Sequence, residues 1–471
     1  MLQRILKLIP ILVVLGIVQS PSLSAQTLNA ANSVLLQDAR LIVGDGSVVE
    51  IGSILITGNS IAAVGEVAAD TLPENTRIIN LQGKTVMPAL IDAHAHLGYE
   101  GHSGWGARYY SRDNLIDHLQ RYAYYGFAAV FSAGSDPEDL ALALQRSQQR
   151  REFEGARLLF AAGMAPPGQG PNNQFLSHAI ALARQTGMTI LRGLETPRQA
   201  RQMVKEVAAK EIPFIKIWVD DRGGSQQKLD PELYSAVIDE ATKNDIKVFV
   251  HQQFAEDMPD LLDAGVSGFL HGRIGDNFSD AITRQSKQAG VFIIPNLGLA
   301  ELRREAIGED EFLRASIPVA VAERLTGNSS QRRSNPVRTP DAEAELQRGF
   351  ARLLNADVDI ILGTDAGALP DHFFGYSGHR ELEIFVRLGL TPMQALMAGT
   401  SKPAQRLGLN DLGLIRPGMS ADLLVLNANP LDDIRNTRTI TRVYLRGSEI
   451  DRSLILENMA PRYNSQCTVF S

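Results

Sequence analysis

Cysteine is almost missing from this chain. Cys467 is the only one, so no internal disulfide can form. No lipidation-type cysteine follows the N-terminal segment either. Long basic runs are absent and the formal charge is −7, which argues against nucleic acid as a partner. No Gly-x-Gly-x-x-Gly follows an apolar run, and no Gly-x-x-x-x-Gly-Lys-Ser/Thr occurs. Nucleotide-binding folds therefore lack their signatures here.

What remains is an ordinary globular composition, 44% hydrophobic and 21% charged over 471 residues. That length supports a large core and more than one structural unit. Residues 1–25 stand apart. Arg4 and Lys7 precede a short apolar run, Ile9 to Val18, and Ser22-Leu23-Ser24-Ala25 offers small residues for cleavage. This pattern predicts a secretory signal peptide, with an uncleaved membrane anchor as the alternative. Removing Arg4 and Lys7 takes the charge from −7 to −9. An exported chain without disulfides and with no stable membrane insertion after processing fits a periplasmic or secreted location.

Residues 26–85 contain short apolar runs punctuated by turns such as Gly44-Asp45-Gly46 and Gly58-Asn59-Ser60. Residues 421–450 have the same texture. The expectation is that both ends pair into one small β-sandwich, made from 26–85 and 406–471 with its tail. Separate end domains are the alternative. Between them, 86–405 alternates apolar strand candidates with amphipathic helices. The strand run Val86–Ile91 is followed by Phe127–Ser132, Arg157–Ala161, Phe214–Val219, Lys247–His251, Gly268–His271, Val291–Pro295 and Asp359–Gly363. Asp136-Pro137, Thr196-Pro197, Asp230-Pro231, Thr339-Pro340 and Thr391-Pro392 each place a capping residue before a proline. Eight strand–helix units over about 300 residues predict an α/β fold, a (β/α)8 TIM barrel, rather than an open doubly wound sheet.

The first strand run closes on Asp92-Ala93-His94-Ala95-His96. Residues i and i+2 of a strand share a face, so His94 and His96 project together, about 7 Å apart along the backbone. Two imidazoles on one side can hold a divalent metal, although a His-x-His pair can equally be a satisfied core pair. The other strand ends decide the matter. Lys216 lies in the fourth strand, His251 ends the fifth, His271 the sixth, and Asp365 follows the eighth. Barrel chemistry sits at the C-terminal ends of strands, so these residues converge on one mouth.

This motif set resembles the amidohydrolase superfamily, in the branch of imidazolonepropionase-like enzymes and metal-dependent prolidases. The resemblance covers the chain beyond residues 1–25. It implies two divalent metal ions, zinc foremost among the candidates that imidazole and carboxylate suit. His94, His96 and Asp365 hold one ion in that pattern, and His251 and His271 hold the other. Lys216 matches the lysine that carries an N6-carboxyl group and bridges both. An ammonium cannot ligate, and burial that lowers the lysine pKa favours the neutral amine that carboxylation needs. A lysine paired with Asp220 or Asp221 is the competing reading, and it leaves a mononuclear site.

The implied activity is hydrolysis of a C–N amide bond of a small molecule by metal-activated hydroxide, with Asp365 as the catalytic acid–base group. Dipeptides or N-acyl amino acids are the expected substrates. Esterase, lactonase or phosphotriesterase activity on the same site is an alternative, as is cyclic-amide hydrolysis at a mononuclear one. A non-enzymatic metal-binding protein is the remaining class. Tyr99, His102, Arg222 and His372 are expected substrate contacts, with a pair to Asp220 or Asp221 as the other role for Arg222. His178 is a weaker candidate. His118 reads as a helix-surface residue, His379 as structural, and Arg332-Arg333 as solvated surface. Large barrels of this kind are often oligomeric, so a homo-oligomer is expected by analogy.

Overall fold

The computed structural model describes residues 33–465 apart from 103, 273 and 327–337. Residues 1–25, where a signal peptide is expected, Arg332-Arg333 and Cys467 lie outside the described residues.

Eight parallel strands close into a barrel. In order they are Leu90–Ala95, Phe127–Ser132, Arg157–Phe160 with Ala162–Ala165, Phe214–Val219, Lys247–Gln252, Gly268–Leu270, Phe292–Ile294 and Asp359–Ile360. Closure between the eighth and first strands comes from Ala93 N to Leu362 O at 2.9 Å and His96 N to Ala366 O at 2.8 Å. The third strand is broken at Ala161. Its first half pairs with the second strand, and its second half pairs with the fourth. An extra strand, Leu191–Gly193, takes the other edge of that second half.

Alternation along each strand arranges the interior in layers. Phe131, Phe214, Phe249 and Phe292 meet across strands two, four, five and seven, with ring centroids 5.2–5.5 Å apart. Two residues beyond Phe214 and Phe249 stand Lys216 and His251. The same inward face thus carries a phenyl floor below and a polar layer above. That floor is a packed core, so the polar layer opens only toward the C-terminal mouth.

The apolar run at the barrel entrance divides in two. Thr85–Pro88 pairs antiparallel with Leu423–Leu426, Pro88 opposite Leu423, and belongs to the outer sheet. Only Leu90–Ala95 enters the barrel. The runs part at Ala89, whose N–H bonds Asp422 of the outer sheet while that of Leu90 bonds Gly126 of the barrel, a change that hydropathy alone does not show.

The two ends of the chain do pair, into one continuous sheet of eight strands. Ser33–Ile42 is central to it. Its first half pairs with Arg77–Asn80 and its second with Thr85–Pro88, and the register shifts across Asp38, whose φ is +63°. Leu36, Leu41, Ile54, Val86, Leu423 and Tyr444 form a separate core there. A helix, Arg452–Ser465, follows, and Arg452 donates to the Tyr124 carbonyl of the barrel's first helix at 2.8 Å.

Four of the five capped helix starts are as the sequence predicts. Thr196, Asp230, Thr339 and Thr391 each accept a backbone N–H of the first turn, with proline at its start. Asp136 is the exception. It is buried and accepts the Tyr110 hydroxyl at 2.7 Å, and its helix begins at Glu138 without a side-chain cap. Among the described residues no helix is long and apolar enough to cross a membrane.

Candidate active site

Six residues meet at the barrel mouth. His96, Lys216, His251, His271 and Asp365 line one cavity of about 140 Å³, and His94 lies directly beneath, its ring 4.7 Å from that of His271. His94, His96 and Asp365 bring one ligand atom each to within 4.8 Å of one another. Asp365 Oδ1 is 3.4 Å from His94 Nε2 and 3.1 Å from His96 Nε2. Its other oxygen is 3.8 Å from His271 Nε2. The His251 and His271 rings are 4.5 Å apart.

The imidazoles are held from behind. His94 Nδ1 is 3.0 Å from Asn296 Oδ1, an oxygen that can only accept, so the nitrogen donates and Nε2 keeps its lone pair. Ser135 Oγ lies 2.7 Å from His96 Nδ1. Asp220 Oδ2 is 3.1 Å from His251 Nε2. Such partners fix ring orientation and tautomer in metal sites. Backbone strain marks the same places: His271, Asn296 and Asp365, just after strands six, seven and eight, have φ of +75°, +49° and +61°.

The polar layer is under-satisfied without a bound cation. His94 Nε2 and Lys216 Nζ are buried and have no hydrogen-bond partner, and Asp365 Oδ1 has only the two imidazole nitrogens beside it. Each such atom costs about 1–3 kcal/mol unless something binds it. Burial drives the pKa of His94, His251 and His271 well below the usual imidazole value, keeping them neutral ligands. Burial, with the Arg222 charge, drives Lys216 well below an ordinary amine. Burial raises Asp365, yet the neighbouring His94 and His96 outweigh it and leave its pKa lowered. Imidazole nitrogens, a carboxylate whose pKa is lowered and a buried amine whose pKa is driven down make a donor set suited to divalent metal.

The lysine is not paired with Asp220 or Asp221. Its amine has no partner, and its charge-bearing atom lies 5.6 Å from the Trp218 ring centroid. Gly134 makes room for it: a Cβ there would stand 2.7 Å from Lys216 Cβ.

The expected substrate contacts divide. Arg222 lines the metal cavity, but it is ion-paired with Asp220 at 2.9 Å and donates to the Gly170 carbonyl at 2.9 Å. Its nearest role is to complete a chain Arg222–Asp220–His251. Tyr99 is fully buried behind Phe175 and donates to the Ser135 carbonyl at 2.9 Å, outside the cavity lining. His102 faces a different cavity beside Glu100, with Nδ1 3.0 Å from Arg121 and Nε2 3.7 Å from Asp117. His372 is buried and bonds the Thr364 carbonyl at 2.7 Å, bracing the eighth loop. Three of the four thus stand off the metal cavity because their loops fold outward or beneath it. His178 accepts from Ala107 N at 3.2 Å. His118 is not a surface residue. It is buried, accepts from Gly98 N and donates to the Glu100 carbonyl, and burial pushes its pKa down to about 3. His379 is buried between Thr437 and the Tyr125 carbonyl, as a structural residue should be.

Pattern reading missed the supporting residues. Asn296, Ser135 and the buried Asp92 carry no motif of their own, although each lies just beyond or within a barrel strand. Asp92 accepts from Thr364 Oγ1 at 2.6 Å and Tyr122 OH at 2.7 Å, tying the first strand to the eighth. Asn172, Phe175, Trp218 and Gln253 are among the other residues of the cavity wall.

The profile of the amidohydrolase family matches residues 85–450. A 5-methylthioadenosine/S-adenosylhomocysteine deaminase of Pelotomaculum thermopropionicum is 23% identical over 439 residues, covering 84% of this chain and 85% of its own. An imidazolonepropionase of Deinococcus deserti is 24% identical over 419 residues, covering 85% and 88%. The solved structure of a Xaa-Pro dipeptidase with bound methionine shares the fold, with a TM-score of 0.68 at 23% identity over 89% of this chain and 99% of that one. The family works with divalent metals, which the His94, His96 and Asp365 cluster suits. The chain belongs to the amidohydrolase superfamily and is a metal-dependent hydrolase of C–N bonds.

Proposed function

We propose that this enzyme hydrolyses the amide bond of a dipeptide or N-acyl amino acid at a binuclear, zinc-type centre. His94, His96 and Asp365 would hold one ion, and His251 and His271 the other. An N6-carboxylated Lys216 would join the two. The observation that carries the reading is the unpartnered Lys216 amine, buried in the cavity wall with a pKa driven far down. A neutral amine is what reacts with CO₂, and the carbamate formed is anionic and ligating. The prolidase-type fold likeness supports the choice of bond.

Bound ions supply an electrophile for the carbonyl and acidify water. The chain's own part is positioning and proton transfer. Asn296, Ser135 and Asp220 hold the three imidazoles. Asp365, whose pKa stays lowered despite burial, takes a proton from the attacking water and returns it to the leaving nitrogen.

A mononuclear, cyclic-amide reading has one observation behind it: only His94, His96 and Asp365 form a tight ligand group among the described residues, while His251 Nε2 faces Asp220. Metal content per chain separates the two. The purified protein, loaded with zinc in bicarbonate, should hold about two ions, and Lys216→Ala fewer, with turnover of dipeptides or N-acyl amino acids in the parent only. One ion in both proteins sinks the bridged centre. Residues 1–25 motivate an exported location, which cell fractionation of the full-length chain tests.

A further inference from the structure

Glu381 lies on the helix Tyr376–Arg387 of the eighth unit and is fully buried. A carboxyl in such a place costs free energy unless its oxygens are bonded. It makes no ion pair among the described residues, and both oxygens are spent on one turn: Oε1 accepts Leu297 N at 2.8 Å and Oε2 accepts Gly298 N at 2.6 Å. Each oxygen keeps an acceptor lone pair whether or not the group is protonated, so the clamp does not depend on its charge.

The residue just before the clamped pair is Asn296, whose Oδ1 holds His94 Nδ1 at 3.0 Å. Its φ of +49° is a left-handed conformation that persists where the surroundings impose it. On one side, the strand Phe292–Ile294 is paired with both of its neighbours. On the other side the backbone is held by Glu381. The turn also borders two cavities, so part of its surface has no packing to hold it. Leu299 lines the metal cavity, and Asn296, Leu297 and Ala300 line a second one of about 500 Å³.

We propose that Glu381 is a positioning residue of the metal centre: by clamping the Leu297 and Gly298 N–H groups it fixes Asn296, and through Asn296 the ring of His94. His94 belongs to the ligand group of a mononuclear or a binuclear centre, so the role of Glu381 is the same in either. Gly298 gives a way to displace the clamp without removing it. A Cβ there would stand 2.9 Å from Glu381 Oε2, at a backbone conformation that does not require glycine.

The test is chelator competition on the zinc-loaded protein, with the visible absorption of the cobalt-loaded protein as a second readout that senses ligand geometry. Glu381→Gln turns one acceptor into a donor that faces an N–H. It should weaken metal binding about tenfold and shift the cobalt spectrum. Gly298→Ala should do the same with the carboxyl still present, and it decides the matter if Glu381→Gln does not fold. Asn296→Gly removes the amide at a φ that glycine accepts. In that background Glu381→Gln should change the affinity by less than about twofold, because residues that act in series are not additive. Parent-like affinity and spectrum in Glu381→Gln, or in Gly298→Ala where the first does not fold, would overturn the proposal. So would full additivity in the double variant, which is what a general loss of stability produces. A parent that holds one zinc ion rather than two sinks the bridged centre and leaves Glu381 in its role.

Discussion

His251 Nε2 and Asp220 Oδ2 lie 3.1 Å apart, and the same oxygen is 2.9 Å from Arg222 Nη1. One buried carboxylate therefore orients a strand-five imidazole and neutralises a cation at the cavity wall. Asp220→Asn removes the charge from that bridge. Partners of this kind are worth about 10–100-fold in metal affinity. The variant should lose metal to a chelator that leaves the parent loaded, and elemental analysis after dialysis reads the difference. Full retention would show that Asp220 does not orient the site.

Asp365 is the group best placed to carry a proton. Asp365→Asn should lower turnover by about 10²–10⁴-fold, the usual size of general acid–base contributions. It should retain part of its metal through His94 and His96. A near-parent rate at saturating substrate would assign the proton transfer elsewhere.

Gly134 stands against Lys216 with φ of +82°. A methyl there strains the backbone and intrudes on Lys216 Cβ. Gly134→Ala should displace the lysine and lower metal content toward that of Lys216→Ala, while the circular dichroism of the barrel persists. Parent-like metal content would mean that the lysine's position is not what retains the ions.

Asp92 joins the first and eighth strands through Thr364 and Tyr122. Asp92→Ala removes the acceptor of two buried hydroxyls and of two backbone N–H groups, His94 N and Thr364 N, the second of which keeps the His94 carbonyl at 3.0 Å. The expected loss is about 3 kcal/mol of unfolding free energy, since each orphaned buried group costs about 1–3 kcal/mol. Urea unfolding measures it, and a loss under about 1 kcal/mol would show that barrel closure does not depend on this carboxylate.

Glu381 is buried and accepts Leu297 N at 2.8 Å and Gly298 N at 2.6 Å, yet burial pushes its pKa up to about 8 from 4.5. The folded state then holds a proton that the unfolded chain releases. Its contribution to stability is full below pH 4.5 and is lost as pH rises to about 8. Glu100, likewise raised to about 8 by burial, acts with the same sign. Between pH 6.5 and 8 each can contribute a slope of up to about 1.4 kcal/mol per pH unit. Glu381→Gln should flatten that limb, read from urea midpoints across the range. An unchanged slope would remove Glu381 as its cause.

The barrel was legible because its signals are local. Strand alternation, the Thr-Pro and Asp-Pro helix starts and the one-face spacing of His94 and His96 each depend on a few neighbouring residues. His94, His96, His251, His271 and Asp365 were found at or just after strand ends, Lys216 within its strand, and their joint role came from the family resemblance. Two features escaped for the opposite reason. Val86–Ile91 is uniformly apolar, so nothing in it shows that Val86 packs in the outer sheet while Ile91 packs in the barrel. Asp136 looks like a helix cap in sequence, but Tyr110 claims it in the fold.

By itself, then, the sequence determined which side chains point inward and at what height, because side-chain periodicity belongs to the strand. Only the tertiary structure decided which loops close over that layer. It turned Tyr99, His102 and His372 away from the metal cavity, set Asp220 behind His251, and brought Asn296 beside both His94 and a second cavity. Those outcomes depend on packing between segments tens to hundreds of residues apart, where contact is governed by shape and burial rather than by spacing along the chain.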